Sequence, residues 1–131
     1  MRGLAFILSV FSLCAIAADQ GQKGKRPPDV TVVEAKAHRI EDKVSVDGKV
    51  KVTAEKPLHG LVLAFDFLDH DNAVLTTGKD EISDETMKSG ESPSFRSEIV
   101  NPPGAIKFKI RAFDSGEKEL RIANPGPFII E

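Results

Sequence analysis

Hydrophobic and polar residues alternate with a period of two along much of the chain beyond residue 30. The alternation is clear at residues 44–52, where four valines and Gly48 occupy one face of a strand and polar residues the other. It recurs at residues 61–67 and 106–112. A strand with one apolar and one polar face is typical of an antiparallel sheet that is buried on a single side. These segments therefore predict the central strands of an all-β domain.

Weaker strands are predicted at residues 30–38, 73–77, 94–100, 119–122 and 127–130. Turn-forming residues separate them, for example Asp71-Asn72 and Ser115-Gly116. Only residues 80–88 have a pattern compatible with a helical turn. About seven short strands without crossover helices predict an immunoglobulin-like antiparallel β-sandwich over residues 30–131, with a small β-barrel as the alternative.

The first 17 residues have the three zones of a secretory signal peptide. Arg2 is followed by an uncharged apolar stretch that ends in the small-x-small pattern Ala15-Ile16-Ala17. About 15 apolar residues are short for a transmembrane span, which needs about 20. We therefore expect a cleaved signal peptide at residues 1–17, a flexible linker at residues 18–29, an extracytoplasmic location (periplasmic or secreted) and no integral membrane span after cleavage.

Composition and charge exclude some classes of partner. The single cysteine, Cys14, lies in the leader, so the mature chain is expected to fold without a disulfide. The formal net charge is −2, and the chain has neither tryptophan nor tyrosine. Nucleic-acid-binding domains are usually strongly basic and often stack bases on aromatic rings. No nucleic-acid partner is therefore expected.

The residues that could carry chemistry are scattered. His38, His59 and His70 lie 21 and 11 residues apart, which is not the spacing of metal ligands on a helix. The best cation candidate is the segment Asp66 to Asn72, and within it the turn Asp69 to Asn72, because calcium prefers several oxygen ligands from one loop. Asp and Asn also stabilise tight turns, which is the expected role of this segment, with calcium binding as the alternative. We expect no catalytic, cofactor-binding or metal-binding residues and no cofactor.

Charged side chains are unevenly distributed. Lys107, Lys109 and Arg111 form a stripe on one strand face, which suits either an acidic polymer or, as we expect, plain solvation. Residues 66–91 contain eight acidic residues against two lysines. The domain is therefore expected to be electrically polarised.

Three consecutive segments resemble the bacterial FxLYD domain, a short extracytoplasmic β-sandwich. The first is the strand 48–57, which ends in a break. In the second, Phe65, Phe67, Leu68 and Asp69 stand for the four letters of the family name, with two conservative substitutions. The third, residues 89–95, is similar to the family's P-G-E-x-x-x-F segment, with serine in place of the proline. The resemblance covers about residues 44–114 and implies core and turn roles for these positions, with no enzymatic activity and no cofactor.

Three functional hypotheses follow. The first is a non-enzymatic module that binds or assembles with another envelope protein through a sheet face or edge. The second is a structural envelope component without a soluble ligand, and the third is an enzyme whose site is assembled from scattered Asp, Glu and His residues. The sequence also predicts that Phe65 and Phe108 lie in the core. Because alternate side chains of a strand point oppositely, Phe128 and Ile130 should pack on the sandwich and Ile129 should point outward.

Overall fold

The computed structural model describes residues 27–131, so the predicted signal peptide and most of the predicted linker lie outside the described residues. Nine strands form the fold: β1 (Val30–Ile40), β2 (Lys43–Val52), β3 (Leu58–Leu68), β4 (Val74–Met87), β5 (Ser94–Val100), β6 (Lys107–Phe113), β7 (Glu119–Leu120), β8 (Ile122–Ala123) and β9 (Phe128–Ile129). In residues 27–131, no helix is long and apolar enough to span a membrane.

The strands form two sheets that pack face to face. The five-stranded sheet has the order β9-β6-β3-β4, and β7 pairs with β6 as well. The four-stranded sheet has the order β5-β2-β1-β8. All pairings between the six long strands are antiparallel, whereas the short strand β8 pairs with β1 in parallel. The predicted immunoglobulin-like β-sandwich is confirmed.

The core lies between the two sheets and consists of the apolar faces that the alternation predicted. Phe65 and Phe108 have no exposed surface, which confirms both predicted core positions. The ring of Phe65 contacts that of Phe95 in the opposite sheet, with centroids 5.7 Å apart. The valines of β2 are equally buried. Burying side chains of this size stabilises a domain by about 1.5–3 kcal/mol each, relative to leaving them exposed.

Gly48 lies where β1 approaches β2 unusually closely. A register shift interrupts the β1–β2 ladder between Val32 and Glu34. Beyond this shift, a Cβ atom at Gly48 would overlap the carbonyl oxygen of Glu34 and would lie 2.8 Å from the ring of Phe95. Glycine is therefore required at this position by space rather than by backbone conformation.

The C-terminal residues 119–131 close one side of the sandwich, which we call the closed side. This segment pairs alternately with the two sheets: β7 and β9 with β6, and β8 with β1. Ile130 then forms a bridge to Ala37 of β1, while its amide donates to the carbonyl of Ile106 at 2.9 Å. The predicted facing is confirmed, because Ile130 is buried, Phe128 is half-buried and Ile129 is 66% exposed.

The opposite side of the sandwich is open. It consists of β4 and β5, which are the edge strands of their sheets. Within residues 27–131, β4 forms ladder pairs only with β3, and β5 only with β2. The two edges touch through Ile99, whose Cδ1 atom lies 2.6 Å from where a Cβ atom would be at Gly78. We call this the open side.

Three expectations need correction. Residues 80–88 do not form a helical turn: the segment continues β4, because the eleven-residue strand β3 offers backbone partners along its whole length. Ile106 is not part of the strand that the alternation at residues 106–112 predicted, because it precedes β6 and is 43% exposed. The last residues of the predicted linker are part of the folded unit, since the carbonyl of Asp29 accepts hydrogen bonds from the amides of Thr53 and Ala54.

Candidate binding surfaces

The free edge of β4 is the longest strand edge without a backbone partner in the described part of the chain. With 14 residues, β4 extends over about 45 Å at 3.4 Å per residue. It carries one lysine against four acidic residues, Asp80, Glu81, Asp84 and Glu85. The Nζ atom of this lysine, Lys79, lies 5.6 Å from the centroid of the Phe113 ring, and the strand keeps a net charge of −3. The second half of this edge is therefore distinctly acidic.

Apolar side chains are exposed on the open side at the other end of β4. Val74 is 58% exposed, Leu75 42%, and Val100 at the end of β5 74%. The loop 101–106 connects the two sheets at this end: the amide of Asn101 donates to the carbonyl of Asp42 beside β2, and the amide of Ile106 donates to the carbonyl of Leu68 in β3 at 2.9 Å. Exposed apolar residues are ordinary singly, but a group beside an unpaired strand edge is typical of an interaction surface.

Asp66, on the outer face of the five-stranded sheet, is a buried carboxylate with a full set of partners. Arg111 donates to it twice, from Nε at 2.7 Å and from Nη2 at 2.9 Å, and the hydroxyl of Thr77 donates at 2.7 Å. Burial raises the pKa of Asp66, but these hydrogen bonds and the charge of Arg111 outweigh it, so the pKa is lowered overall. The hydrogen bonds among Asp66, Thr77 and Arg111 therefore connect β3, β4 and β6 and stabilise the sheet.

The predicted basic stripe is present on the same face, beside Asp66. Lys107 and Lys109 alternate along β6 with buried Phe108, and Arg111 lies over the ring of Phe113 at 5.5 Å. Asp66 neutralises Arg111. The arrangement is therefore a partly neutralised, solvated sheet face, and the prediction that it binds no acidic polymer stays untested.

The segment from Asp69 to Asn72 forms the hairpin turn between β3 and β4. One oxygen of Asp69 accepts hydrogen bonds from the amides of Asp71 (2.8 Å) and Ala73 (3.0 Å). Hydrogen bonds from these amides lower the pKa of Asp69, so the carboxylate stays charged. In residues 27–131, no group of three or more His, Cys, Asp or Glu side chains is arranged to hold a metal ion.

A shallow cleft of about 440 Å³ lies at the end of the sandwich where Pro27 enters the fold. Its polar lining includes His59, Lys118 and Glu119. A further lining residue, Asp114, accepts hydrogen bonds from the amides of Gly116 and Lys118 and so stabilises a turn. His59 lines the same cleft as Asp114 and Glu119. His70 lies in the β3–β4 turn and His38 on β1. The three histidines are therefore not brought together.

The two carboxylates with shifted pKa values, Asp66 and Asp69, do not have the environment of a general acid. A general acid at neutral pH usually has a raised carboxyl pKa. The pKa values of Asp66 and Asp69 are lowered instead; both oxygens of Asp66 and one oxygen of Asp69 accept structural hydrogen bonds. The open side, by contrast, presents backbone donors and acceptors together with exposed apolar and acidic side chains.

The alternation missed the second half of β4. Its residues are largely acidic and exposed, so they show neither a clear period of two nor a buried face. The length of β3 is the feature that could have revealed it, since an eleven-residue buried strand needs backbone partners on both sides.

No family model and no curated protein sequence matches this chain. Among solved structures, it is similar to the crystal structure of a beta-glucuronidase from Bacteroides uniformis, with 18% identity and a TM-score of 0.51. A second similar structure is Bacteroides uniformis beta-glucuronidase 2 covalently bound to cyclophellitol-6-carboxylate aziridine, with 17% identity and a TM-score of 0.49. Each alignment covers 71% of this chain and 13% of the other. At this identity the first likeness shows the fold alone.

Proposed function

We propose that this protein is an exported, non-enzymatic β-sandwich module that binds another envelope protein through its open side. One observation carries the proposal. The C-terminal segment covers the outer edges of β1 and β6 on the closed side, whereas the long edge of β4 has no partner among the described residues.

An unpaired edge is a template for one more strand. Backbone hydrogen bonds to an added strand provide affinity, and side-chain contacts with alternate residues provide specificity. Uncontrolled edge pairing is suppressed by charges and irregularities, both of which β4 has. Asp80 lies opposite buried Leu63, on the face of β4 that points towards the other sheet, and the β3–β4 register shifts between Leu61 and Val62. The edge is protected against indiscriminate pairing and yet remains accessible.

We also propose that the chain is a divergent FxLYD domain. The positions that carry the resemblance have the roles that the resemblance implies. Phe65, Phe67 and Leu68 are buried, and Asp69 stabilises the hairpin turn that follows them. Phe95, at the end of the third similar segment, is buried against Phe65.

Site-specific photo-crosslinking in the native envelope tests the proposed binding function. A photoreactive phenylalanine analogue replaces exposed Thr76 on β4 or, as a matched control, exposed Lys36 on β1. We expect one defined protein adduct from position 76 and none from position 36. The adduct should re-form when the identified partner is purified and mixed with the labelled protein.

Other results contradict the proposal. Equal adducts from both positions would mean that partner proteins do not bind preferentially at the open side. No adduct from either would favour a structural component without a partner at this surface.

The intact mass of the exported protein tests its location, since we expect a chain that begins at Ala18. A mass that includes Met1 would contradict processing at the predicted site.

A further inference from the structure

The two halves of β4 differ in chemistry along one continuous edge. The first half, from Val74 to Gly78, is uncharged and begins with two exposed apolar side chains. The second half contains the four acidic residues. A strand that pairs with the whole edge would meet apolar side chains at one end and carboxylates at the other.

The charge of β4 argues against a second copy of the same chain as the occupant. The strand has a net charge of −3, and in an antiparallel pair of two β4 edges Asp80 and Glu81 would lie opposite their own counterparts, while Asp84 and Glu85 would face the uncharged half and gain no complementary charge. Like charges on directly opposed residues destabilise a strand pair. A strand with lysines or arginines opposite residues 80–85 would instead gain complementary pairs.

From this asymmetry, we propose that β4 binds an extended segment of another protein that is basic in its first half and apolar in its second half. This inference rests on the proposed function. Antiparallel addition is the slightly more stable ladder, and it reverses the order of residues across the pair. The first half of the incoming segment therefore lies opposite the acidic residues 80–85, and its second half opposite Val74 and Leu75.

A synthetic peptide tests this directly. The probe is the amidated decapeptide Lys-Thr-Lys-Thr-Arg-Val-Thr-Val-Thr-Val, titrated into the isotope-labelled exported protein. Three control peptides are matched to it: the reversed sequence, a version with glutamate at every basic position, and a version with proline at every threonine. The proline version keeps the charge but lacks two of the pairing amides on each edge of the peptide, which disrupts a ladder in either register. Binding is measured by NMR titration, and pairing by amide hydrogen exchange of β4.

We expect the probe to bind more tightly than all three controls and to slow exchange at alternate amides of β4. Replacing both Asp84 and Glu85 with lysine should weaken binding about tenfold at low salt, because the change of four charge units turns attraction for the basic half of the probe into repulsion. The matched double variant at exposed Glu55 and Glu117, off β4, should change binding less than twofold. Circular dichroism confirms that both variants are folded.

Each alternative outcome overturns a stated part of the inference. Equal binding of the proline peptide would show charge attraction without strand pairing. Equal binding of the glutamate peptide would contradict the proposal that the partner segment is basic. Equal binding of the reversed peptide would contradict its antiparallel direction. A dimer with protected β4 amides would make a second copy the occupant. If position 76 crosslinks a partner but the probe does not bind, this inference fails while the proposed function stands.

Discussion

The neighbouring residues Ile129 and Ile130 offer a matched test of how the C-terminal segment closes the sandwich. They have the same side chain and adjacent positions but opposite environments. Ile130 is 7% exposed and bridges to β1, whereas Ile129 is 66% exposed on the outer face. Replacing each with alanine removes the same atoms, so any difference between the variants reports on burial alone.

The expected magnitude follows from the buried carbon atoms. Ile130→Ala removes three carbons from a nearly dry site, and at about 0.8 kcal/mol per carbon the transfer contribution is about 2 kcal/mol. An unfilled cavity adds to this, so the free energy of unfolding should fall by about 2–4 kcal/mol. Ile129→Ala should change it by about 0.5 kcal/mol or less, which is typical of a surface substitution.

Urea denaturation followed by far-UV circular dichroism measures both values. Circular dichroism is the suitable probe because the chain has no tryptophan or tyrosine. The comparison is made at neutral pH. It requires that the free energy of unfolding of both variants falls with urea concentration at the same slope. Equal losses for both variants, or a larger loss for Ile129→Ala, would refute the described packing of the C-terminal strand.

Three further predictions concern stability. Phe65→Ala should cost about 3–5 kcal/mol in the same denaturation assay, since the side chain is fully buried, and a loss below about 1 kcal/mol would contradict its core position. Gly48→Ala should cost about 1–3 kcal/mol because its Cβ atom would overlap the carbonyl of Glu34; a neutral result would mean that the close approach of β1 and β2 is wrong. The third prediction concerns pH. The pKa of Asp66 is lower in the folded state, so its stabilising contribution is present above its unfolded pKa of about 3.9 and is lost as the pH falls through the folded value. Asp66→Asn should therefore be less stable than wild type at pH 7 and should show a flatter decline between about pH 5 and pH 2; an unchanged pH profile would show that the pair with Arg111 does not contribute.

The sequence predicts most of the fold because strands with one buried face show a period of two. That pattern located the cores of β2, β3 and β6 and the facing of residues 128–130. It could not locate the second half of β4, where exposed acids replace the apolar repeat. There the backbone of β3, rather than any local preference, determines the conformation, which is a tertiary effect.

The candidate binding surface depends on features that alternation does not encode. Which strands become edges follows from the path of residues 119–131 across the closed side. That path consists of two-residue pairings, each too short to show a periodicity. The acidic character of residues 66–91 was visible in the sequence, but its concentration on a free edge became apparent only with the strand order.

Residue-resolved amide hydrogen exchange of the free protein tests the contrast between the two sides most directly. On the closed side, the amides of Val30 and Arg39 point outward from β1 but donate to Arg121 and Glu131, so we expect slow exchange at both. Along residues 75–82 of β4, we expect fast exchange at every second amide, because those amides lack a partner and remain available to an incoming strand. Slow exchange at all β4 amides, in a protein that has no added partner, would mean that this edge is already occupied and would contradict the account.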